Sequence, residues 1–269
     1  MPQHALDFAT QLARQAGELL RQRFRLGGTF ASLKADRTYV TEADLAADRF
    51  IRSAIGQEFP QDAILTEETP ADLPASAPGI WVVDPLDGTT NYSLGLHIWG
   101  VSIARLVGGW PETAAVYFPL IDELYTAQRG AGAWLNGQPI QARQPTGRNS
   151  SAPSQPLAFF ACCSRTQRRY TVNLRYKTRI LGSSAYTLCL VARGVALLGF
   201  EVTPKLWDLA AAWLVVSEAG GVVAAYDGAS PFPFQPGVSD PQTSYPILAA
   251  ATAELAETAR SQIQPKATP

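Results

Sequence analysis

"WVVDPLDGTTNY", residues 81–92, opens as a buried strand and then runs into two acids, a proline, a glycine and two threonines. Trp81, Val82 and Val83 form a short apolar run of the kind that fills a central strand. Pro85 has no N–H for a further ladder bond, and Gly88 and Asn91 supply turn-prone backbone. The strand is therefore expected to stop at Asp84, with Asp87 in the turn beyond it and both acids facing a crevice. Read alone, the same letters also fit an ordinary Asp-Gly turn beside a solvated strand end.

Upstream, apolar residues recur at helical spacing over 4–26 (Leu6, Ala9, Ala13, Ala16, Leu20, Phe24) and over 42–59 (Ala47, Ile51, Ile55), so two helices open the chain. Strand-like runs follow at 63–65, 80–83, 98–107, 113–118 and 123–127. The stretch 144–156 is polar and rich in Pro, Ser and Gly, and reads as a surface connection between an N-terminal half, 1–145, and a C-terminal half, 157–269. In the second half "GSSAYTLCLVARG" reads as a helix with a serine start and a stop at Gly194, "VALLGFEV" as a strand and "LWDLAAAWLVVSEAGG" as a further helix. Helices alternating with strands in this way give a layered α/β fold.

The chain has 269 residues, 46% of them apolar, enough to bury a full core. Its 22 basic and 23 acidic residues nearly cancel, which argues against nucleic acid as a partner. Three cysteines without metal spacing, and no basic segment leading into an apolar signal core, suit a reduced, cytoplasmic protein. No apolar run approaches the roughly 20 residues that span a bilayer.

Several further acids sit at informative places, each with a plain structural reading beside it. Asp208 lies in the first turn of a helix apolar on nearly every side, where an acid is commonly a cap or a dipole partner. Thr41 and Asp44 match a capping box ahead of an amphipathic helix. Glu67 and Glu68 follow a strand directly, a pattern that also suits a solvated loop. What distinguishes them is convergence: strand ends, a turn and a helix start are where α/β crevices gather ligands.

Taken together, "TEET", "WVVDPLDGTTNY" and "WDLAAAWLVVSEAGG" resemble the three signatures of the inositol monophosphatase family of Mg²⁺-dependent, lithium-sensitive sugar phosphatases, in the right order and across nearly the whole chain. The resemblance implies a five-layer αβαβα sandwich, a homodimer and two to three Mg²⁺ ions, with Mn²⁺ as the alternative. Carried over position by position, it implies one ion held by Glu67, Asp84 and the Leu86 carbonyl and a second held by Asp84, Asp87 and Asp208. A more labile third ion would lean on Glu67, with Glu68 supporting the shell. Gly88 and Thr89 match the phosphate-binding turn, and Thr89 with Asp44 matches the pair that orients and deprotonates the attacking water. Glu201 matches the glutamate that binds inositol hydroxyls, and Gly182, Ser183 and Ser184 match the turn that lines the polyol pocket. A strand end and a serine helix cap are the structural readings of Glu201 and Ser183. Lys34 falls near the family's mobile lysine loop, and its role stays open. Thr66, His97 and Ala212 depart from the usual family residues without touching a metal ligand.

The metal logic has its own physical basis. Carboxylates sharing one crevice repel by about 4 kcal/mol per close pair at an effective dielectric near 20, so they need cations between them. An oxygen-only donor set selects Mg²⁺ or Mn²⁺ over Zn²⁺. With only His4 and His97 in the chain, a histidine nucleophile is not expected.

These readings lead to hydrolysis of inositol monophosphate by in-line attack of metal-activated water. Fructose-1,6-bisphosphatase or a broader sugar-phosphate phosphatase is the alternative, since Arg165, Arg168, Arg169, Arg175, Lys177 and Arg179 could hold a second phosphate. From another class comes a regulatory role in which the same basic stretch docks RNA or a protein.

Overall fold

Leu6, Ala9, Leu12, Ala13, Ala16 and Leu20 are buried along one stripe, which is why Pro2–Arg23 forms helix α1. It begins two residues before the expected start and ends before Phe24. The structure, a computed structural model, describes residues 2–33, 39–69, 73–142 and 159–266. Lys34 and the connection expected at 144–156 lie outside the described residues.

After α1 come β1 (Ser32–Leu33) and its antiparallel partner β2 (Tyr39–Val40), then helix α2 (Glu42–Glu58) and strands β3 (Ala63–Thr66) and β4 (Ile80–Asp87). A short helix α3 (Thr89–Ser93) leads into β5 (Gly100–Val107), β6 (Trp110–Phe118), β7 (Glu123–Gln128), β8 (Gly132–Leu135) and β9 (Gln138–Pro139). The second half runs β10 (Phe159–Cys162), α4 (Ser164–Arg169), β11 (Tyr170–Val172), β12 (Lys177–Arg179), α5 (Ser184–Ala192) and β13 (Ala196–Glu201). It closes with α6 (Leu206–Glu218), β14 (Val222–Ala225), β15 (Ile247–Ala250), α7 (Ala253–Gln262) and β16 (Ile263–Pro265).

Two large sheets result. The first has seven strands in sequential order from β3 to β9, antiparallel except for the β3–β4 pair. The second has five strands in the order β12-β10-β13-β15-β14. Period-two alternation gives each sheet two apolar faces. Trp81, Val83, Val101, Ile103 and Ala115 pack under α1 and α2. Val82, Ala104, Leu106, Ala114 and Val116 pack against α5 and α6, which in turn meet Ala196, Ile247 and Ala249 of the second sheet. On that sheet's outer face, Phe160, Phe200, Leu248 and Ala250 lie under Leu255, Ala256 and Ala259 of α7. The layers therefore run helix, sheet, helix, sheet, helix, the five expected. Because α6 is sandwiched, nine of its 13 residues are buried, as its largely apolar pattern demands.

One expectation needs correction. Pro85 does not end β4: the strand continues to Asp87, and all eight of its residues are buried. Asp84 faces Ser102 and Asp87 faces Gly100, so β4 takes three residue steps where β5 takes two. This is a bulge, and a bulge tolerates a residue without a ladder N–H. It tilts the acids at either end of the kink out of the regular pleat.

Candidate metal and phosphate site

Three elements end at one place. Glu67 leaves β3, its N–H held by the Val83 carbonyl at 3.1 Å. Asp84 stands at the bulge of β4, and its carboxylate accepts from the Leu86 N–H at 2.9 Å. Asp208 sits in the first turn of α6, where its carboxylate accepts from the Lys205 N–H at 2.6 Å, the capping contact expected of it. Glu67, Asp84 and Asp208 each offer a carboxylate oxygen, all within 4.8 Å of one another.

The solvated-strand-end reading fails here, because Asp84 and Asp87 are 1% and 5% exposed. Burial, and then the charges of Glu67, Asp87 and Asp208, hold the Asp84 carboxyl well above the usual carboxylate range. Asp208 is raised for the same reasons, burial first and then Glu67 and Asp87. Carboxylates in this state bind protons or a cation, and an all-oxygen donor set of this size fits a hard divalent ion. Glu68 is half-buried beside the group, and the Leu86 carbonyl lies at the same strand end.

Asp87 stands apart from this trio. Its carboxylate accepts from the Ser183 hydroxyl and from the N–H groups of Ser184 and Ala185, both at 3.2 Å, so it caps the start of α5. Burial outweighs those bonds and raises its pKa to about 6. The charge of Asp87 still acts on Asp84 and Asp208, helping to raise both.

Gly88 follows, with φ of 90°, a left-handed conformation glycine adopts without strain. It lets the chain turn straight from β4 into α3, whose first N–H groups lack intrahelical partners. Thr89 Oγ1 lies 3.1 Å from Asp44 Oδ1 and 3.0 Å from the Leu86 carbonyl oxygen. One hydroxyl hydrogen serves one acceptor at a time, so the O–H turns toward one or the other. The other oxygen of Asp44 accepts from the Thr41 N–H at 2.8 Å and from the Thr41 hydroxyl, completing the capping box of α2. Asp44 is raised by burial against these bonds. The cap thus orients the acid that meets Thr89.

A cavity of about 350 Å³ opens beside Asp87, lined among others by Asn91, Arg165, Gly182, Ser184 and Glu201. Ser183 caps α5 by accepting from the Tyr186 N–H at 3.0 Å, and Ser184 Oγ lies 3.2 Å from Glu201 Oε2. Glu201 is 3% exposed, and burial raises its pKa to about 8, so its carboxyl is largely protonated near neutrality. Asn91 ties the halves together by donating to the carbonyls of Ile98 at 2.6 Å and Leu181 at 2.8 Å. It reads only as turn-prone in sequence, because one of its partners lies 90 residues away.

Comparison with known proteins identifies the family and the fold. The chain matches the inositol monophosphatase family over residues 1–264. It is 37% identical to the Nus factor SuhB of Escherichia coli (strain K12) over 232 residues, 83% of this chain and 85% of that protein. It is 30% identical to inositol monophosphatase 1 of Bos taurus over 280 residues, covering 97% and 95% of the two chains. The crystal structure of extragenic suppressor protein suhB from Bartonella henselae superposes with a TM-score of 0.78 at 27% identity, over 96% of this chain and 98% of that one. Signature motifs, layered fold and clustered acids lead to one conclusion: the chain belongs to the inositol monophosphatase family.

Proposed function

We propose that this protein hydrolyses inositol monophosphate to inositol and phosphate with Mg²⁺ as cofactor. The observation that carries the reading is the Glu67, Asp84 and Asp208 group, three carboxylates within 4.8 Å at the end of a buried strand, beside the Asp44–Thr89 pair. These acids, with Asp87 and the Leu86 carbonyl, would hold the Mg²⁺ ions. Bound there, the metal would neutralise phosphoryl charge and lower the pKa of water, the main sources of acceleration in metal-assisted hydrolysis of a phosphate ester.

The chain's own groups supply the rest. The N–H groups at the start of α3 would receive a phosphate oxygen, and Gly88 makes the turn into α3 possible, since a Cβ there would lie 3.0 Å from the Ile98 carbonyl oxygen. Thr89 takes up a proton from the nucleophilic water as its own passes to Asp44, a buried acid whose raised pKa suits it to receive one. In the cavity, protonated Glu201 can donate to one hydroxyl of a polyol while Ser184 accepts from another.

A second reading has its own observation. Arg165 lines the same cavity, where a second substrate phosphate would meet a guanidinium. Of the rest of the basic stretch, Lys177 and Arg179 lie on the edge strand β12, and Arg168 and Arg169 on the last turn of α4, where basic residues are commonly structural. Fructose-1,6-bisphosphate is therefore the substrate to set against inositol monophosphate. Release of phosphate from both, compared as kcat/KM in Mg²⁺, tests the proposal. A higher value for inositol monophosphate supports it, and a preference for the bisphosphate that collapses in Arg165→Ala replaces it with the second reading. The similarity to a Nus factor supports a third, regulatory reading, which salt-sensitive binding of RNA by the protein would bring forward.

A further inference from the structure

Helix α2 carries two buried acids one turn apart, Asp44 and Asp48, so both lie on one face. Asp44 meets Thr89. Asp48, 3% exposed, reaches the loop after β3: its Oδ2 accepts from Thr69 Oγ1 at 2.7 Å across 21 residues of sequence. Its Oδ1 is buried without a hydrogen-bond partner, and Arg52 approaches Oδ2 only to 4.0 Å. A buried carboxylate left half satisfied is a burden for folding alone and asks for a functional reason.

The loop it grips is the one that delivers Glu67. The start of that loop is tied down twice: Glu67 N–H bonds the Val83 carbonyl at 3.1 Å, and Thr69 N–H bonds Thr66 Oγ1 at 3.2 Å. These bonds fix the loop to its own strands. The Asp48–Thr69 bond fixes it to a different layer, the helix that also orients Asp44.

We propose that Asp48 is a positioning residue, which through Thr69 clamps the Glu67 loop to α2 and so holds the Glu67 carboxylate in register with Asp84 and Asp208 for cation binding. The inference rests on the metal role proposed above for Glu67. Outer partners of this kind act on metal affinity, by about 10- to 100-fold when lost. Helix α2 then braces both the water-orienting pair and the metal group, one turn apart.

The test is a calorimetric Mg²⁺ titration of the full chain and its variants, with the unfolding midpoint of each metal-free protein measured alongside. Thr69→Val keeps the shape and removes the donor, and it should weaken Mg²⁺ binding about tenfold or more. Thr69→Ser should restore wild-type affinity, because its hydroxyl can make the same bond. Asp48→Ala should weaken binding, and adding Thr69→Val to it should cost nothing further, since both changes break one link. Turnover should follow the same order in its Mg²⁺ dependence, recovering at saturating metal with substrate KM unchanged. Wild-type affinity in Thr69→Val, losses in Thr69→Ser as large as in Thr69→Val, or additive losses in the double variant would each overturn the clamp. Should Thr69→Val fail to fold, Thr69→Ala reads the same bond. A wild-type protein that binds no Mg²⁺ would remove the metal reading itself, a result distinct from failure of the clamp.

Discussion

Asp84 near the end of β4 and Thr89 at the start of α3 stand five positions apart and serve different needs. Asp84 is buried among other acids, so its charge is tolerable only with a proton or a cation close by. Thr89 carries no charge and offers a hydroxyl between Asp44 and the Leu86 carbonyl. Asp84→Asn should therefore abolish turnover by weakening Mg²⁺ binding. Thr89→Ala should lower kcat by about 10²- to 10⁴-fold with Mg²⁺ affinity retained, the range for loss of a positioned proton-transfer group. Calorimetric titration of each variant beside its rate separates the two, and loss of metal in Thr89→Ala as severe as in Asp84→Asn would contradict these roles. At this scale the sequence was informative wherever residues lie close together in the chain. Asp84 is legible from the strand that leads to it, and Asp44 from its capping box. Capture of the Asp87 carboxylate by Ser183 was not, because the partners are 96 residues apart and meet only when the halves close.

Elements were readable in proportion to their periodicity. The helices now seen as α1, α2 and α6 follow from apolar spacing, since burial on one stripe or all around leaves a local mark. The end of β4 was misread, because whether a strand survives Pro85 depends on the register of β5 opposite, which no local pattern records. The turn into α5 shows another constraint of this kind. Gly182 has φ of 76°, and a Cβ placed there would lie 2.7 Å from Asn91 Oδ1. Gly182→Ala should therefore combine backbone strain of about 1–3 kcal/mol with displacement of Asn91 from the Ile98 and Leu181 carbonyls. Gly108 also has a positive φ, 58°, yet has open space around it, so Gly108→Ala carries the strain alone. Urea unfolding of both should find Gly182→Ala the less stable, with raised KM as well. Equal losses would mean that the close approach to Asn91 does not matter.

Across the whole molecule, the site leaves an electrostatic imprint on stability. Asp87 is raised to about 6 and Glu201 to about 8, so between their ordinary values near 4 and these raised ones the native protein holds more protons than the unfolded chain. Unfolding free energy of the metal-free protein should consequently be greatest on the acid side of that window and fall as pH rises through it. Glu201→Gln should flatten the upper part of the fall, toward about pH 8. Denaturant unfolding in chelator across the window checks the sign, and stability that climbs toward pH 8 would contradict it. Mg²⁺ should stabilise most at the alkaline end, where it meets carboxylates already deprotonated.

The five-layer order was legible from alternation and resemblance together. The pairing of α5 and α6 between two sheets comes from long-range packing, as does the cavity walled by residues from both halves of the chain. The most direct measurement of the central claim is phosphate release from inositol monophosphate by the purified protein in excess chelator, then after Mg²⁺ is restored. The account predicts no release in chelator and recovery with Mg²⁺; undiminished hydrolysis in chelator would contradict it.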